Sequence, residues 1–327
     1  MAEDELPFFA TNEPIPINSD DDLRQAFWLY GLTQLEGIGN RRALKIVQHF
    51  KSAEILCGAS ESEIASVIGK LNVNFKNLTA MEPMIDDGVF ISTYFDSDYP
   101  SGLRDLADPP LVLWYRGVIP NQKALSIVGT RNIDDWGRTI TRKLARMAGE
   151  AGFAVVSGLA LGVDTEAHIG CLETASPTVG SLACDVRFPT PKSNSKLANQ
   201  ILDTGGCLIA EVPLGAKTEA HSLIARNRLQ AAWGQGLLVT QCGIPSGTLH
   251  TVRFALELER TLVVLKPPNG AQGDQYQGIR NLTEDFAFDS RILGGSKRFQ
   301  EQNQTRERGA DIVIGSISEF EEYLSNV

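Results

Sequence analysis

Six short apolar runs, separated by amphipathic helical stretches, dominate the chain from Ala124 onward: Leu125 to Val128, Phe153 to Val156, Thr178 to Leu182, Cys207 to Ala210, Leu237 to Thr240 and Thr261 to Leu265. Runs this short that do not alternate polar with apolar residues suit strands covered on both faces, and the segments between them are long enough for right-handed crossovers. The pattern predicts an α/β fold, an extended Rossmann-like, doubly wound and mainly parallel sheet.

In such a sheet, ligands bind beyond the carboxyl ends of the strands, so the residues following each run are read first. Gly129-Thr130-Arg131 follows the first run. After the second comes Ser157-Gly158-Leu159-Ala160-Leu161-Gly162-Val163-Asp164, continuing to His168. Glu211 and Pro213 follow the fourth, ahead of Arg226-Asn227-Arg228, and Ser246-Gly247-Thr248 follows the fifth. Glycine permits close backbone approach, N–H groups at helix starts attract anions, and arginine adds bidentate phosphate contacts. These loops together describe a site for a polyanion, with Gly129, Thr130, Arg131, Ser157, Gly158, Gly162, Arg226, Asn227, Arg228, Ser246, Gly247 and Thr248 as its candidates.

The helix after the first run carries Arg138, Arg142 and Arg146 at four-residue spacing with Lys143 adjacent, opposite Ile140, Leu144 and Ala148. Such a stripe is either a solvated face or an auxiliary phosphate track, to which Lys266 beyond the sixth run would add. Trp136 lies where it either stacks on a base or caps the core.

Several chemistries are excluded or weakened. The first run is not followed by G-x-G-x-x-G, and no G-x-x-x-x-G-K-[ST] occurs, which argues against dinucleotide and P-loop nucleotide binding. Ser157 and Ser246 lack a G-x-S-x-G elbow, and His168 reads as a structural hydrogen-bonding residue, so no catalytic residue is assigned. Cys57, Cys171, Cys184, Cys207 and Cys242 form no C-x-x-C pair, which argues against a disulfide framework or a metal site, and no cofactor is expected. No run approaches the roughly 18 apolar residues of a membrane span, and the acidic start is unlike a signal peptide, so a cytoplasmic protein without membrane contact is expected. The formal net charge of −10 argues against a nucleic-acid partner, but it is unevenly distributed. Residues 121–268 carry 15 Lys and Arg against 12 Asp and Glu, a net of +3, leaving the acidity to the flanks.

The organisation expected is a disordered lead over 1–20, a small helical domain over 21–88 and the Rossmann-like domain over 89–327, with a polar insertion at about 269–302. Within the helical part, Leu35-Glu36-Gly37-Ile38-Gly39-Asn40 resembles a helix-hairpin-helix turn, or is simply a tight interhelical connection.

From Tyr99 to Leu265 the motifs resemble the DprA/Smf family of DNA-processing proteins. The similarity rests on Tyr99-Pro100, on Pro109-Pro110-Leu111-Val112-Leu113-Trp114-Tyr115-Arg116-Gly117, and on four ordered elements: Gly129-Thr130-Arg131, Ser157 to His168, Arg226-Asn227-Arg228 and Ser246-Gly247-Thr248. The resemblance implies single-stranded DNA binding, homodimerisation and delivery of DNA to a RecA-type recombinase during DNA uptake in transformation. It also implies phosphate contacts from Arg131, Arg226 and Arg228, a pocket shaped by Gly129, Gly158 and Gly247, and no catalytic residue. The chain departs from the family pattern at Ala183 to Pro189, which lacks a glycine-rich turn, and at His221 to Ile224, where the family has Phe-Pro. It departs again at Leu265-Lys266-Pro267-Pro268 and over 269–302, before Arg308-Gly309-Ala310 echoes the family's close.

Two functions stay open at this level. One is a non-catalytic DNA-binding mediator. The other is a LOG-like Rossmann protein, a nucleotide sensor or phosphoribohydrolase, in which Glu211 would meet a ribose or assist glycosidic cleavage.

Overall fold

The computed structural model describes residues 20–35, 37–69, 88–215, 220–284, 288–303 and 306–327. The lead expected over 1–20, apart from Asp20, lies outside them, as does Glu36 of the glycine turn.

Four helices come first: α1 (Asp20–Gln34), α2 (Asn40–Phe50), α3 (Ala53–Cys57) and α4 (Glu61–Ile68). Ser60 caps α4 in a capping box with Glu63, each side chain taking the other's backbone N–H. Gly37 adopts φ +81°, which permits the tight turn between α1 and α2. The apolar side of these helices, including Leu29, Leu32, Ile46 and Leu56, packs in one cluster with Trp114 and Leu182 of the sheet.

The strands are β1 (Phe90–Thr93), β2 (Val112–Gly117), β3 (Ala124–Val128), β4 (Ala154–Ser157), β5 (Thr178–Leu182), β6 (Cys207–Ala210), β7 (Gly236–Val239), β8 (Thr261–Leu265) and β9 (Ile312–Ile314). They form one sheet in the order β1-β2-β6-β5-β4-β3-β7-β8-β9. Every pairing from β6 through to β9 is parallel. β1 and β2 join the β6 edge antiparallel. The six expected strands are thus present as β3 to β8, within a residue at their ends, and the fold is the expected doubly wound α/β sheet. Three further strands extend its edges.

Helices cover both faces, as the two-sided apolarity of the runs requires. On one side α5 (Asp135–Glu150), α6 (Val163–Leu172) and α12 (Ile317–Asn326) bury Leu144, Val163 and Phe320 against Ile127, Val155 and Leu238. On the other, α8 (Ala220–Trp233), α9 (Thr248–Glu257) and α10 (Gln277–Thr283) bury Ala231, Val252 and Ile279 against Leu237, Val239 and Val264. α7 (Ser195–Asp203) covers the β5–β6 region through Leu197 and Ile201.

Residues 269–302, read as a polar insertion, hold α10, the start of α11 (Lys297–Asn303) and two single 3-10 turns. They sink Tyr276, Ile279, Leu282, Leu293 and Phe299 into the core beside β7 and β8. Each such side chain contributes about 1.5–3 kcal/mol by burial, so the segment is part of the fold's stability.

The chain runs outward from β3 through β4 and β5 to β6, then returns through α8 to lay β7 on the other flank of β3. Strand order therefore reverses between β3 and β7, and the crevice of a doubly wound sheet opens there, beyond the carboxyl ends.

Candidate functional site

The loops after β3 and β7 are stitched together at this switch. Thr130 donates its N–H to the Gln241 carbonyl at 2.7 Å, and its own carbonyl accepts the Val163 N–H at 3.1 Å. Gly129 makes this possible: a Cβ there would stand 2.5 Å from Cγ2 of Val163 and 2.6 Å from the Gln241 oxygen. The turn continues with Asn132 donating its N–H to Thr130 Oγ1. Arg131 is left exposed at the crevice, without an ion pair among the described residues.

The loop after β4 is organised by Asp164, in the first turn of α6. Its Oδ2 accepts the N–H groups of Gly158 at 3.1 Å and Ala160 at 3.3 Å. Burial pushes the Asp164 carboxyl up, and the Arg226 charge opposes that rise. Ser157 is buried and donates to the Ile127 carbonyl at 2.7 Å, which makes it a tie between β4 and β3. Asn194, beyond β5, donates to the Leu159 carbonyl at 2.8 Å and to Thr165 Oγ1 at 2.9 Å, anchoring the next loop to this one.

The two arginines of α8 lie inside rather than at the surface. Arg226 is buried and donates from Nη1 to the carbonyls of Gly158, at 2.6 Å, and of Ser181. It thus ties together the carboxyl ends of β4 and β5. Burial pulls the Arg226 pKa down, and among its charged neighbours Asp164 raises it while Arg131 lowers it, which places the Arg131 charge nearby. Arg228 is equally buried and gives Nη2 to both oxygens of Glu211, at 2.6 and 2.7 Å. Asn40 of α2 donates to Glu211 as well, at 3.0 Å. Burial lifts the Glu211 carboxyl and Arg228 opposes it. Asn227 reaches across to the Gly247 carbonyl at 3.2 Å, joining α8 to the start of α9.

At that start, Ser246 Oγ accepts the Thr248 N–H at 3.2 Å, and Gly247 has open space where a Cβ would be. The stripe on α5 is paired: Arg138 with Glu166 of α6 at 3.4 Å, Arg142 with Glu173 just beyond α6, and Arg146 with Glu150 on α5 itself at 3.2 Å. Lys143 is exposed beside them. Lys266 and the half-buried Trp136 line a separate cleft of about 530 Å³ beyond β8 and β9, and Trp136 packs against Tyr276 with ring centres 5.8 Å apart.

His168 is fully buried, with Nδ1 2.7 Å from Thr178 Oγ1, and burial together with the Arg226 charge lowers its pKa to about 3. It is neutral near pH 7 and structural. The five cysteines are free thiols, four of them buried. No group of three His, Cys, Asp or Glu able to hold a metal occurs among the described residues, nor is any described helix long and apolar enough to cross a membrane.

The structure brings Gly129, Thr130, Arg131, Gly158, Gly162 and Arg226 together around one crevice. A Cβ on Gly162 would run into the Thr130 carbonyl, and one on Gly158 into the Arg226 guanidinium. Arg228 lies against Glu211 and the first helices, and with Arg226 it lines a cavity of about 440 Å³ that also takes in Ala183 and Asn40. Asn194 and Gln241 were not singled out from sequence, and Asp164 was quoted only as part of the Ser157 to His168 element, without a role. Gln241 could have been, since it stands right after a strand; the loop-organising role of Asp164 and the anchoring by Asn194 show only in the folded contacts.

A doubly wound sheet with glycine loops at its carboxyl edge and an exposed arginine at the switch point defines a Rossmann-like α/β protein. Its sequence makes the assignment narrower: residues 90–291 match the family described as DNA recombination-mediator protein A, and the chain belongs to that family. It is 32% identical over 280 residues to protein Smf of Synechocystis sp., an alignment covering 80% of this chain and 69% of that one. In structure it is similar to DNA processing protein A (DprA) from Streptococcus pneumoniae, with a TM-score of 0.68 at 21% identity over 90% of this chain and 97% of the other. It also resembles DNA processing protein A from Helicobacter pylori, with a TM-score of 0.55 at 24% identity over 72% and 94% of the two chains.

Proposed function

We propose that this chain holds single-stranded DNA at the carboxyl edge of its sheet, as a non-enzymatic mediator that delivers the strand to a RecA-type recombinase during DNA uptake, acting as a homodimer in the cytoplasm. The observation that carries the reading is Arg131, an exposed, unpaired guanidinium at the topological switch, reinforced by the buried charge of Arg226 behind it. A phosphate seated there would meet Arg131, with Gly129, Thr130, Gly158 and Gly162 shaping the approach and the α9 start at Ser246, Gly247 and Thr248 offering backbone N–H groups. Arg226, Asn227, Arg228 and Ser157 serve as braces that hold these loops in place. The helical domain expected over 21–88, of which α1 to α4 pack on the sheet through Trp114 and Leu182, acts as an accessory to the Rossmann-like domain.

Family membership supports this reading, as does the single-stranded DNA binding mode described for the Helicobacter pylori protein. The nucleotide alternative rested on the overall acidity and on Glu211, and both oxygens of Glu211 are engaged by Arg228. The test is a titration of the purified protein against single-stranded DNA, duplex DNA and mononucleotides at several salt concentrations. Preference for the single strand is expected, with a log–log salt slope of about −0.7 per neutralised phosphate. Binding confined to mononucleotides would overturn the proposal.

A further inference from the structure

Among the described residues, four large apolar side chains are exposed: Ile55, Leu161, Phe188 and Ile224. Single exposed apolar residues are ordinary on a protein surface, but three of these four lie on the β4 loop, the β5 loop and α8, the elements that Arg226 and Ser222 tie together at the carboxyl edge. Leu161 lies in the β4 loop whose Gly158 carbonyl Arg226 holds, and Ile224 sits two residues ahead of Arg226 on α8. Phe188 lies in the loop after β5. That loop is fastened to the others at both ends: the Ala183 carbonyl accepts the Ser222 hydroxyl of α8 at 3.1 Å, and Asn194 donates to the Leu159 carbonyl. Cys184, which adds to the electrostatic environment of Arg226, has its Sγ 3.5 Å from the Phe188 carbonyl.

Phe188 is the most exposed of the four, at 68%, yet it is held in place. Its N–H donates to the Asp185 carbonyl at 3.0 Å. The Arg187 guanidinium lies over the ring, 5.2 Å from its centre, and is itself clamped by the buried Asp185 through bonds at 2.6 and 3.1 Å. Asp185 also accepts the Gly215 N–H at 2.5 Å. A fixed ring backed by a cation on one face and open on the other is a stacking platform rather than a loose side chain. Lys192 and Lys196, both exposed, follow in the same segment.

We infer that Phe188 is the base-stacking platform of this site and the element by which it distinguishes single-stranded from duplex DNA. The inference rests on the DNA-binding reading above and deepens it. A duplex keeps its base faces stacked within the helix, so only a single strand can lay a base on Phe188 while its phosphate reaches Arg131. Arg131 then supplies affinity for any phosphodiester chain, and Phe188 supplies the preference for unpaired bases.

The experiment compares wild type, Phe188→Ala, Phe188→Trp and Arg131→Ala on three probes: a single-stranded oligonucleotide, the same length of abasic strand, and duplex DNA. Phe188→Ala is expected to weaken single-strand binding by roughly ten- to a hundred-fold, from about 1–3 kcal/mol per stacked base, and to leave abasic and duplex binding unchanged. Phe188→Trp should retain the affinity and show indole fluorescence quenching on the base-containing strand alone. Arg131→Ala should weaken binding to all three. Wild-type single-strand affinity in Phe188→Ala, or an equal loss on the abasic strand, would overturn the stacking inference while Arg131→Ala still reports on the DNA site. A wild-type protein that binds none of the probes overturns both readings.

Discussion

Arg228 gives one guanidinium nitrogen, Nη2, to both carboxylate oxygens of Glu211, and the α2 residue Asn40 closes on the same carboxylate from the helical side. The pair therefore joins α8, the carboxyl end of β6 and the N-terminal helices. Removing one partner of a buried pair leaves the other charge uncompensated, which costs about 3–5 kcal/mol, and the lower end applies here because Glu211 remains 24% exposed. Arg228→Ala is expected to lower the denaturant midpoint accordingly, and Arg228→Leu combined with Glu211→Leu to lower it less. An unchanged midpoint together with lost DNA affinity would make Arg228 a phosphate ligand instead of a brace.

This relationship also marks where reading the sequence stops. The strands β3 to β8 were legible because burial on both faces forces a continuous apolar run. β9 spans three residues and β1 four, too short to stand out, and β2 was quoted only as a motif. Residues 269–302 misled because their core side chains are spread through polar neighbours in elements of a single turn or two. At the site, the loops were legible from the rule that ligands sit beyond strand ends. Which arginine remains free was not, since that depends on Glu211 standing 17 residues from Arg228 in sequence and on Gly158 standing 68 from Arg226.

Gly162 and Gly158 are equally tight points of the crevice, a Cβ on either meeting its nearest neighbour at the same distance, but only Gly162 also has a positive φ. It adopts φ +80° and ψ −125°, a conformation open essentially to glycine, and a Cβ there would collide with the Thr130 carbonyl and stand 2.8 Å from the Cα of Arg131. Gly162→Ala is therefore expected to cost at least about 1–3 kcal/mol of stability and to displace the Arg131 loop. Melting temperature and single-strand affinity should fall together. A variant that melts like wild type and binds normally would show that the β3 and β4 loops move independently.

His168 sets a pH dependence. Its pKa is lowered to about 3 in the folded protein, whereas the unfolded chain takes up the proton near pH 6.5. Below that value the unfolded state binds more protons, so this group's contribution is complete above about pH 6.5 and is lost as pH falls towards 3, by about 1.4 kcal/mol per pH unit. Asp164 and Glu211, whose carboxyls burial raises, act in the opposite sense at the acidic end. The difference between wild type and His168→Asn isolates the histidine: between pH 7 and pH 5 the wild type should lose about 2 kcal/mol more. Parallel stability curves would mean that His168 is protonated with a partner in the folded state.

Arg131 separates binding from stability. Its side chain is exposed and makes no ion pair among the described residues, so Arg131→Ala should change stability by no more than about 0.5 kcal/mol. At the switch point its guanidinium stays exposed, whereas Arg226 is turned inward to the Gly158 and Ser181 carbonyls. Its loss should weaken single-strand binding evenly across sequences and reduce the salt slope by about 0.7, the share of one phosphate. Arg142→Ala is the control: that arginine is also exposed, but it is paired with Glu173 on the α6 side and away from the crevice, and it should alter neither quantity. Should Arg142→Ala match Arg131→Ala in lost affinity, the strand would follow the α5 face, and the crevice at β3 and β7 would not be where DNA is held.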